Sequence, residues 1–358
     1  MHKTLFSTCL LLLCLSACKS GEKTQATKTD TDNTPVKTLD LKEIGVAFYN
    51  VENLFDTEDD PKIADEEFLP SGKYAWTEDK YKIKLANIAK VLSQLAKDGP
   101  EFFGLVEIEN ATVVRDLLSQ KALTEVANYK FVHENSRDAR GVDVAFCYNP
   151  AVFSYVAHKA FAPKFTDKNK KSRDFLVVEG KVAGEQMYVI VNHWPSRREG
   201  QEKSEVFRVE EATHVRQVCD SVLKKNAKAH IIVMGDFNDD PENKSMSETM
   251  GAKSTVSEAA KSGFFNTMTN VLDPNSKGTL MYDGKWDLFD QFLLSSNLVN
   301  GKSKVQYLPN SADVFRPEWL TVGFGKGKDN PKRSIFRDKF QDDGYSDHFP
   351  VQMFLQVK

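Results

Sequence analysis

The chain has 358 residues, 41% of them apolar and 28% charged, with 13 prolines and five cysteines. It is neither low-complexity nor collagen-like, and it has enough apolar residues for a sizeable core. Its 48 lysines and arginines face 51 aspartates and glutamates, a net charge of −3, which argues against a polybasic coat for nucleic acid but leaves room for local basic patches.

Three of the five cysteines, Cys9, Cys14 and Cys18, fall in the first 18 residues. Met1-His2-Lys3-Thr4, an apolar run from Leu5 to Leu15 and the small residues Ser16-Ala17 predict a secretory signal peptide over residues 1–17, too short to span a bilayer as a mature helix. Leu15-Ser16-Ala17-Cys18 resembles the bacterial lipobox, which implies that Cys18 is lipidated and anchors the mature chain in the cell envelope. Between Lys19 and Asp40 only Ala26, Val36 and Leu39 are apolar, so residues 18–40 are expected to be a disordered tether. Such a coil spans roughly 25 Å.

From Leu41 onward short apolar strands alternate with amphipathic helices. Ile44 to Val51 predicts a strand, and Tyr81, Leu85, Ile88, Leu92 and Leu95 predict a helix with Thr77 as its N-cap. Phe102 to Glu107 and Val142 to Tyr148 suggest buried strands. Phe175 to Val182 and Gln186 to Asn192 flank Ala183-Gly184-Glu185, a hairpin signal. Ser204 to Lys225 predicts a helix with Cys219 on its buried face. Ile231 to Met234, Phe292 to Leu294 and Val351 to Val357 complete the strong strands. Without a repeat or a second linker, residues 41–358 predict one α/β domain.

Polar residues punctuate these strands in a regular way. Asn50, Glu107 and Asn192-His193 end strands; Asp236 and Asn238 follow one; Asp290 and Asp347-His348 precede others. Each alone is an ordinary turn former or surface residue. Together they suggest a shared mouth above a sheet, where rigid strands aim side chains into one cleft. Asp56, Glu58, Asp60 and Glu67 fall at EF-hand offsets, but Pro61 stands where that loop needs Gly, so this stretch is expected to be a solvated loop. No Gly-x-x-x-x-Gly-Lys, His-Glu-x-x-His or Cys-x-x-Cys occurs.

Seven segments in order carry a resemblance. They are Tyr49-Asn50-Val51-Glu52-Asn53, Gly104-Leu105-Val106-Glu107, Arg140-Gly141-Val142-Asp143-Val144-Ala145, Val191-Asn192-His193-Trp194-Pro195-Ser196, Gly235-Asp236-Phe237-Asn238, Asp290-Gln291-Phe292-Leu293-Leu294-Ser295 and Ser346-Asp347-His348-Phe349-Pro350-Val351. The set resembles the endonuclease/exonuclease/phosphatase superfamily of metal-dependent phosphodiesterases. The resemblance implies a four-layer α/β (α+β) sandwich, two mixed β-sheets packed face to face with helices outside. It further implies Glu107, Asn50 and Asp347 as metal ligands, for Mg²⁺ with Mn²⁺ as a substitute. His348 with Asp290 matches the family's His-Asp pair, Asp236 and Asn238 the residues that orient water and hold a phosphate oxygen, and His193 a second active-site histidine. Whether His348 or Asp236 takes the water's proton is left open.

Lys164 to Arg173 and Lys326 to Lys339 are locally basic, and Arg197, Arg333 and Arg337 are candidate phosphate contacts. Asn50 to Asp56 resembles the secreted bacterial nuclease branch, which implies a low-specificity nuclease with a nucleic-acid substrate, a membrane anchor and no obligate protein partner. Two other readings stay open: the same chemistry on a phospholipid, inositol phosphate or other small phosphoester, and a binding lipoprotein on an inactive scaffold. Cys147 and Cys219 are expected to be buried and unpaired.

Overall fold

Apolar alternation sets where the strands run, and the polar residues at their ends set where they stop. The computed structural model describes residues 42–358 except 199, 262, 274–276, 283, 325 and 326. The expected signal peptide, Cys18 and the tether lie outside the described residues.

In chain order the strands are β1 (Glu43–Leu54), β2 (Phe102–Ile108), β3 (Lys130–His133), β4 (Asp143–Tyr148), β5 (Phe153–Phe161), β6 (Phe175–Val182), β7 (Glu185–His193), β8 (His230–Asp236), β9 (Ala252–Lys253) and β10 (Phe264–Asn266). They continue as β11 (Leu280–Tyr282), β12 (Lys285–Asp287), β13 (Asp290–Ser295), β14 (Val305–Tyr307), β15 (Asp313–Val314), β16 (Thr321–Phe324), β17 (Gly327–Pro331), β18 (Ile335–Phe336), β19 (Lys339–Phe340) and β20 (Val351–Val357). The α-helices are α1 (Glu78–Gln94), α2 (Ala111–Leu118), α3 (Lys121–Thr124), α4 (Gln201–Lys225) and α5 (Val256–Ala259).

The first sheet runs β14-β20-β1-β2-β4-β3, with β15 also on β20; the second runs β5-β6-β7-β8-β13-β10-β9. Each is mixed: β1 and β2 are parallel in one, β7 and β8 in the other, amid antiparallel neighbours. Phe48 and Leu105 of the first sheet share a core with Val178, Val191 and Met234 of the second. Gly104 permits this approach, since a Cβ there would lie 2.8 Å from Met234 Sδ and 3.1 Å from Val191 Cγ1. Leu85, Ile88 and Leu92 of α1 and Val113 and Leu117 of α2 join the same core. On the other side Ala212, Val215 and Cys219 of α4 pack on Val177, Ile190 and Val233. The result is the four-layer α/β sandwich that the resemblance implied.

Local signals behaved as their chemistry requires. Ala183 and Gly184, both at positive φ, make the two-residue turn between β6 and β7. Thr77 occupies the N-cap of α1, but its side chain makes no cap hydrogen bond. Asn110 caps α2 by accepting from the backbone N–H of Thr112 and Val113. Cys147 and Cys219 are free and buried, and burial pushes both thiols up, away from the reactive thiolate. Among the described residues no helix is long and apolar enough to cross a membrane.

Candidate active site

Strand register gathers the candidate residues at one end of the sandwich. In the second sheet His193 of β7 pairs with Asp236 of β8, and Asp236 pairs with Asp290 of β13, so three functional side chains form a row. In the first sheet Asn50 pairs with Val106, which sets Glu107 beside it. His348 lies three residues ahead of Val351, the β20 partner of Phe48.

In the first sheet β1 and β2 both deviate here. β1 shifts register between Asn50 and Leu54, and β2 between Val106 and Ile108. Glu52, Asn53 and Glu107 hold φ of 52°, 56° and 62°, and Asn238 holds 51°. Non-glycine residues at positive φ cost energy and concentrate at functional sites, where bulges re-aim side chains.

The hydrogen bonds are closely interlocked. Asn50 Nδ2 donates to Asp236 Oδ2 at 3.0 Å and to Glu107 Oε1 at 3.4 Å, and the Asn53 N–H donates to Glu107 Oε2 at 3.1 Å. His348 Nδ1 lies 2.7 Å from Asp290 Oδ2, which leaves its Nε2 3.8 Å from Asp236 Oδ2. His193 Nε2 stands 3.7 Å from both Glu107 Oε1 and Asp236 Oδ2. Asn238 donates from its backbone to Asp236 Oδ1 and from its side chain to the Trp194 carbonyl. Ser346 links the sheets' loops: its hydroxyl donates to the Asn50 carbonyl and accepts from the His348 N–H.

Burial governs the charge states. It pushes Asp236 up to about 7, a rise that His348 opposes and Asp290 reinforces. Burial works against a charge on His348, but Asp290 and Asp236 outweigh it and hold that imidazole well above its ordinary value. His193 is held well below its ordinary value by burial, with Arg173, Arg140 and His348 adding to the effect, so it stays neutral.

This charge balance fits a hard divalent cation. Three carboxylates, Glu107, Asp236 and Asp290, face one imidazolium, and Asp290 Oδ1 is buried without a partner. Among the described residues Asp236, Asp290 and His348 form the group of acidic and imidazole ligand atoms lying within 4.8 Å of one another. His348 Nδ1 is already hydrogen-bonded to Asp290, so the oxygen donors left for a cation are the Glu107 and Asp236 carboxylates; Asn50 beside them turns its Nδ2 to both, and its Oδ1 accepts from the Glu52 N–H. Carboxylate oxygen is the ligand that hard cations prefer. Asp347 stands at the rim, 3.5 Å from Arg333.

The arginines fall differently from expectation. Arg197 is a correction: its guanidinium is occupied by the Asn238 carbonyl, Asp239, Asp240 and Asn243 and stacks over Phe289, so it braces the Asp236–Asn238 turn instead of offering itself to a phosphate. Arg333 stays partly exposed beside Asp347. Arg337 sits in the β18–β19 turn with its guanidinium over the Phe336 ring.

Sequence reasoning missed Lys84. It lies on α1 within the apolar stripe of Tyr81, Leu85 and Ile88, and a lone charge in such a stripe was the available signal. Its fully buried ammonium donates to the Glu52 carbonyl, the Ser334 hydroxyl and the Tyr345 carbonyl. Ser334 in turn donates from both backbone and hydroxyl to the Glu52 carboxylate. Three segments that carry Asn50, Arg333 and Asp347-His348 are thus tied to one side chain.

A pH dependence follows. Burial raises Glu52 and Glu109 to about 8, and Asp236 to about 7, so the folded protein binds protons there that the unfolded chain has released. A carboxyl raised on folding lowers stability as pH climbs towards its folded value, and His348, raised too, acts in the same direction. Above pH ~6.5 the buried neutral histidines no longer oppose this trend. The metal-free protein should therefore show a falling urea midpoint between pH ~6.5 and ~8. A midpoint that rises across this window would contradict these charge states.

The sequence profile of the endonuclease/exonuclease/phosphatase family matches residues 45–357. The chain belongs to that family. Members are hydrolases of phosphoester bonds and depend on divalent metals, which agrees with the acidic cleft described above. A family protein from Bacteroides thetaiotaomicron is similar in structure, with a TM-score of 0.54 at 18% identity, covering 88% of this chain and 98% of that one. A humanized D. rerio TDP2 gives 0.54 at 13% identity over 88% and 100%. A mannosyl-6-phosphatase from Bacteroides thetaiotaomicron VPI-5482 gives 0.53 at 17% identity over 87% and 99%. A comparison with curated proteins returned no match. At such identities the structural likenesses establish the fold, and the family's chemistry rests on the profile match.

Proposed function

We propose that the protein is a Mg²⁺-dependent phosphodiesterase that cleaves nucleic acids with little sequence preference, held at the bacterial cell envelope through lipidated Cys18. The observation that carries the hydrolytic reading is the His348–Asp290 contact of 2.7 Å, with His348 Nε2 and His193 Nε2 both facing Asp236 beside Glu107.

Glu107, with Asn50 beside it, would hold a divalent cation, which would supply charge neutralisation at the phosphate and leaving oxygen. The chain's own groups do the rest. Asp290 fixes the His348 tautomer through Nδ1. The proton of the attacking water passes to Asp236 Oδ2, or to His348 Nε2 once that imidazolium has given up its own proton. Neutral His193 and the Asn238 amide hold phosphate oxygens. Positioning and electrostatics supply most of the acceleration.

The basic segments around Lys164–Arg173 and Arg333 support a polyanionic substrate, because such contacts read phosphates and not bases. A sugar phosphate is the second reading, since a mannosyl-6-phosphatase shares the fold. A panel of plasmid DNA, single strands, RNA, sphingomyelin, inositol phosphates and mannose 6-phosphate separates the two. EDTA-sensitive cleavage of DNA or RNA is expected. Sparing both while hydrolysing a phospholipid or sugar phosphate would overturn the nuclease reading. Incorporation of labelled fatty acid, lost in Cys18→Ala, is the expected sign of the anchor; equal labelling of both would remove it.

A further inference from the structure

Behind the loops of the site, α4 carries an arginine that joins two of them. Ser204, Arg208, Ala212 and Val215 recur at helical spacing on its buried face, and Arg208 is fully buried there. One turn earlier the Ser204 hydroxyl accepts from Arg208 Nη1 at 2.8 Å, and Arg208 Nη2 donates to the Gln201 carbonyl at 3.3 Å. The helix itself thus fixes the plane of the guanidinium.

That plane meets both loops that hold His193 and Asn238. The parallel pairing of β7 with β8 runs to His193 and Asp236, and a bond of 2.9 Å from the Trp194 N–H to the Asp236 carbonyl follows it. Beyond this point side chains tie the two segments together. Asn238 Nδ2 donates to the Trp194 carbonyl at 3.1 Å. Arg208 spans from the Pro195 carbonyl, 3.3 Å from Nη1, to Asp239 Oδ1, 2.8 Å from Nε. Asp239 is held in turn by the Ser245 hydroxyl at 2.6 Å and, through its carbonyl, by Nε2 of Gln291, the neighbour of Asp290, at 2.7 Å. Asn238 sits between these ties at a φ of 51°, a left-handed conformation that persists only where its surroundings enforce it.

Stability does not account for this cation. Desolvation of a buried ion pair offsets most of its attraction, and apolar side chains of similar volume would join helix to loop as firmly. What they lack is direction, which a rigid planar fork of N–H groups supplies. We propose that Arg208 is a positioning residue: through Pro195 and Asp239 it sets the separation of His193 and Asn238, and so raises turnover without contacting substrate. This rests on the reading that those two side chains hold phosphate oxygens.

Initial rates of the full-length protein on bis(p-nitrophenyl) phosphate, with thermal midpoints measured alongside, test it. Arg208→Lys keeps the charge and loses the fork. It should lower kcat about 10–100-fold, the loss that follows a small misplacement of groups around the reacting centre, with KM within about threefold. In an Asn238→Ala background the same substitution should cost several-fold less, because one of the side chains it positions is gone. Arg216→Gln, which frees Asp220 and the Met250 carbonyl from another arginine of α4, should leave kcat unchanged. If Arg208→Lys does not fold, Asp239→Asn, an isosteric change at the other end of the contact, is judged by the same criteria. Turnover within about threefold of the wild type in a folded variant, or an equal loss in both backgrounds, would overturn the positioning role. The two readings fail apart. A wild type inert towards the diester, plasmid and sugar phosphates would remove the hydrolytic reading and this inference with it; an active wild type indifferent to Arg208 would remove this inference alone.

Discussion

His348→Gln is expected to lower kcat/KM for bis(p-nitrophenyl) phosphate by about 10³-fold, the range that a positioned acid or base contributes. Glutamine retains a polar group against Asp290, whose Oδ1 already lacks a partner, and so limits the cost to the fold. Asp290→Asn should also lose activity, because the amide presents a donor where His348 Nδ1 needs an acceptor. Initial rates on this small diester probe the reacting centre without involving the polynucleotide question. A His348→Gln protein within about threefold of the wild type would remove the imidazole from the proton transfer assigned to it.

The largest effect on stability is expected at Lys84. Lys84→Met withdraws the donor from the Glu52 carbonyl, the Ser334 hydroxyl and the Tyr345 carbonyl, all within the protein interior. Breaking a buried charged network costs about 3–5 kcal/mol. For a domain of this size that is a fall in thermal midpoint of roughly 5–8 °C. The Glu52 carboxylate, which accepts from Ser334, belongs to the same network, so Glu52→Gln combined with Lys84→Met should be less destabilising than the two singles added together. Strict additivity, or a Lys84→Met protein as stable as the wild type, would show that the ammonium does not clamp these segments. Activity should fall with stability, since the clamped loops carry Asn50 and His348.

The parts visible in the sequence share one property: local chemistry was sufficient to specify them. Strands such as Ile231 to Met234 and the stripe of α1 follow from periodicity, and the hairpin from Ala183-Gly184-Glu185, although Glu185 already belongs to β7. Strand-end polar residues were legible because register, once strands are placed, fixes where their ends meet; His193, Asp236 and Asp290 form a row for that reason. Arg197 misled because a charged residue near a motif carries no sign of whether its partner is a ligand or Asp239. Lys84 escaped notice because its meaning comes from burial, which depends on Ser334 and Tyr345, hundreds of residues along the chain. The left-handed turn of Glu107 was equally silent, since a bulge is set by the facing strand.

Nicking of supercoiled plasmid by the purified protein, wild type against Glu107→Ala, with Mg²⁺ and with EDTA, reads out metal-dependent cleavage of a phosphodiester chain directly. Mg²⁺-dependent conversion to open-circular and linear forms is expected of the wild type, absent in EDTA and reduced by at least about 10³-fold in Glu107→Ala. Undiminished nicking by Glu107→Ala, or nicking by the wild type that persists in EDTA, would contradict it.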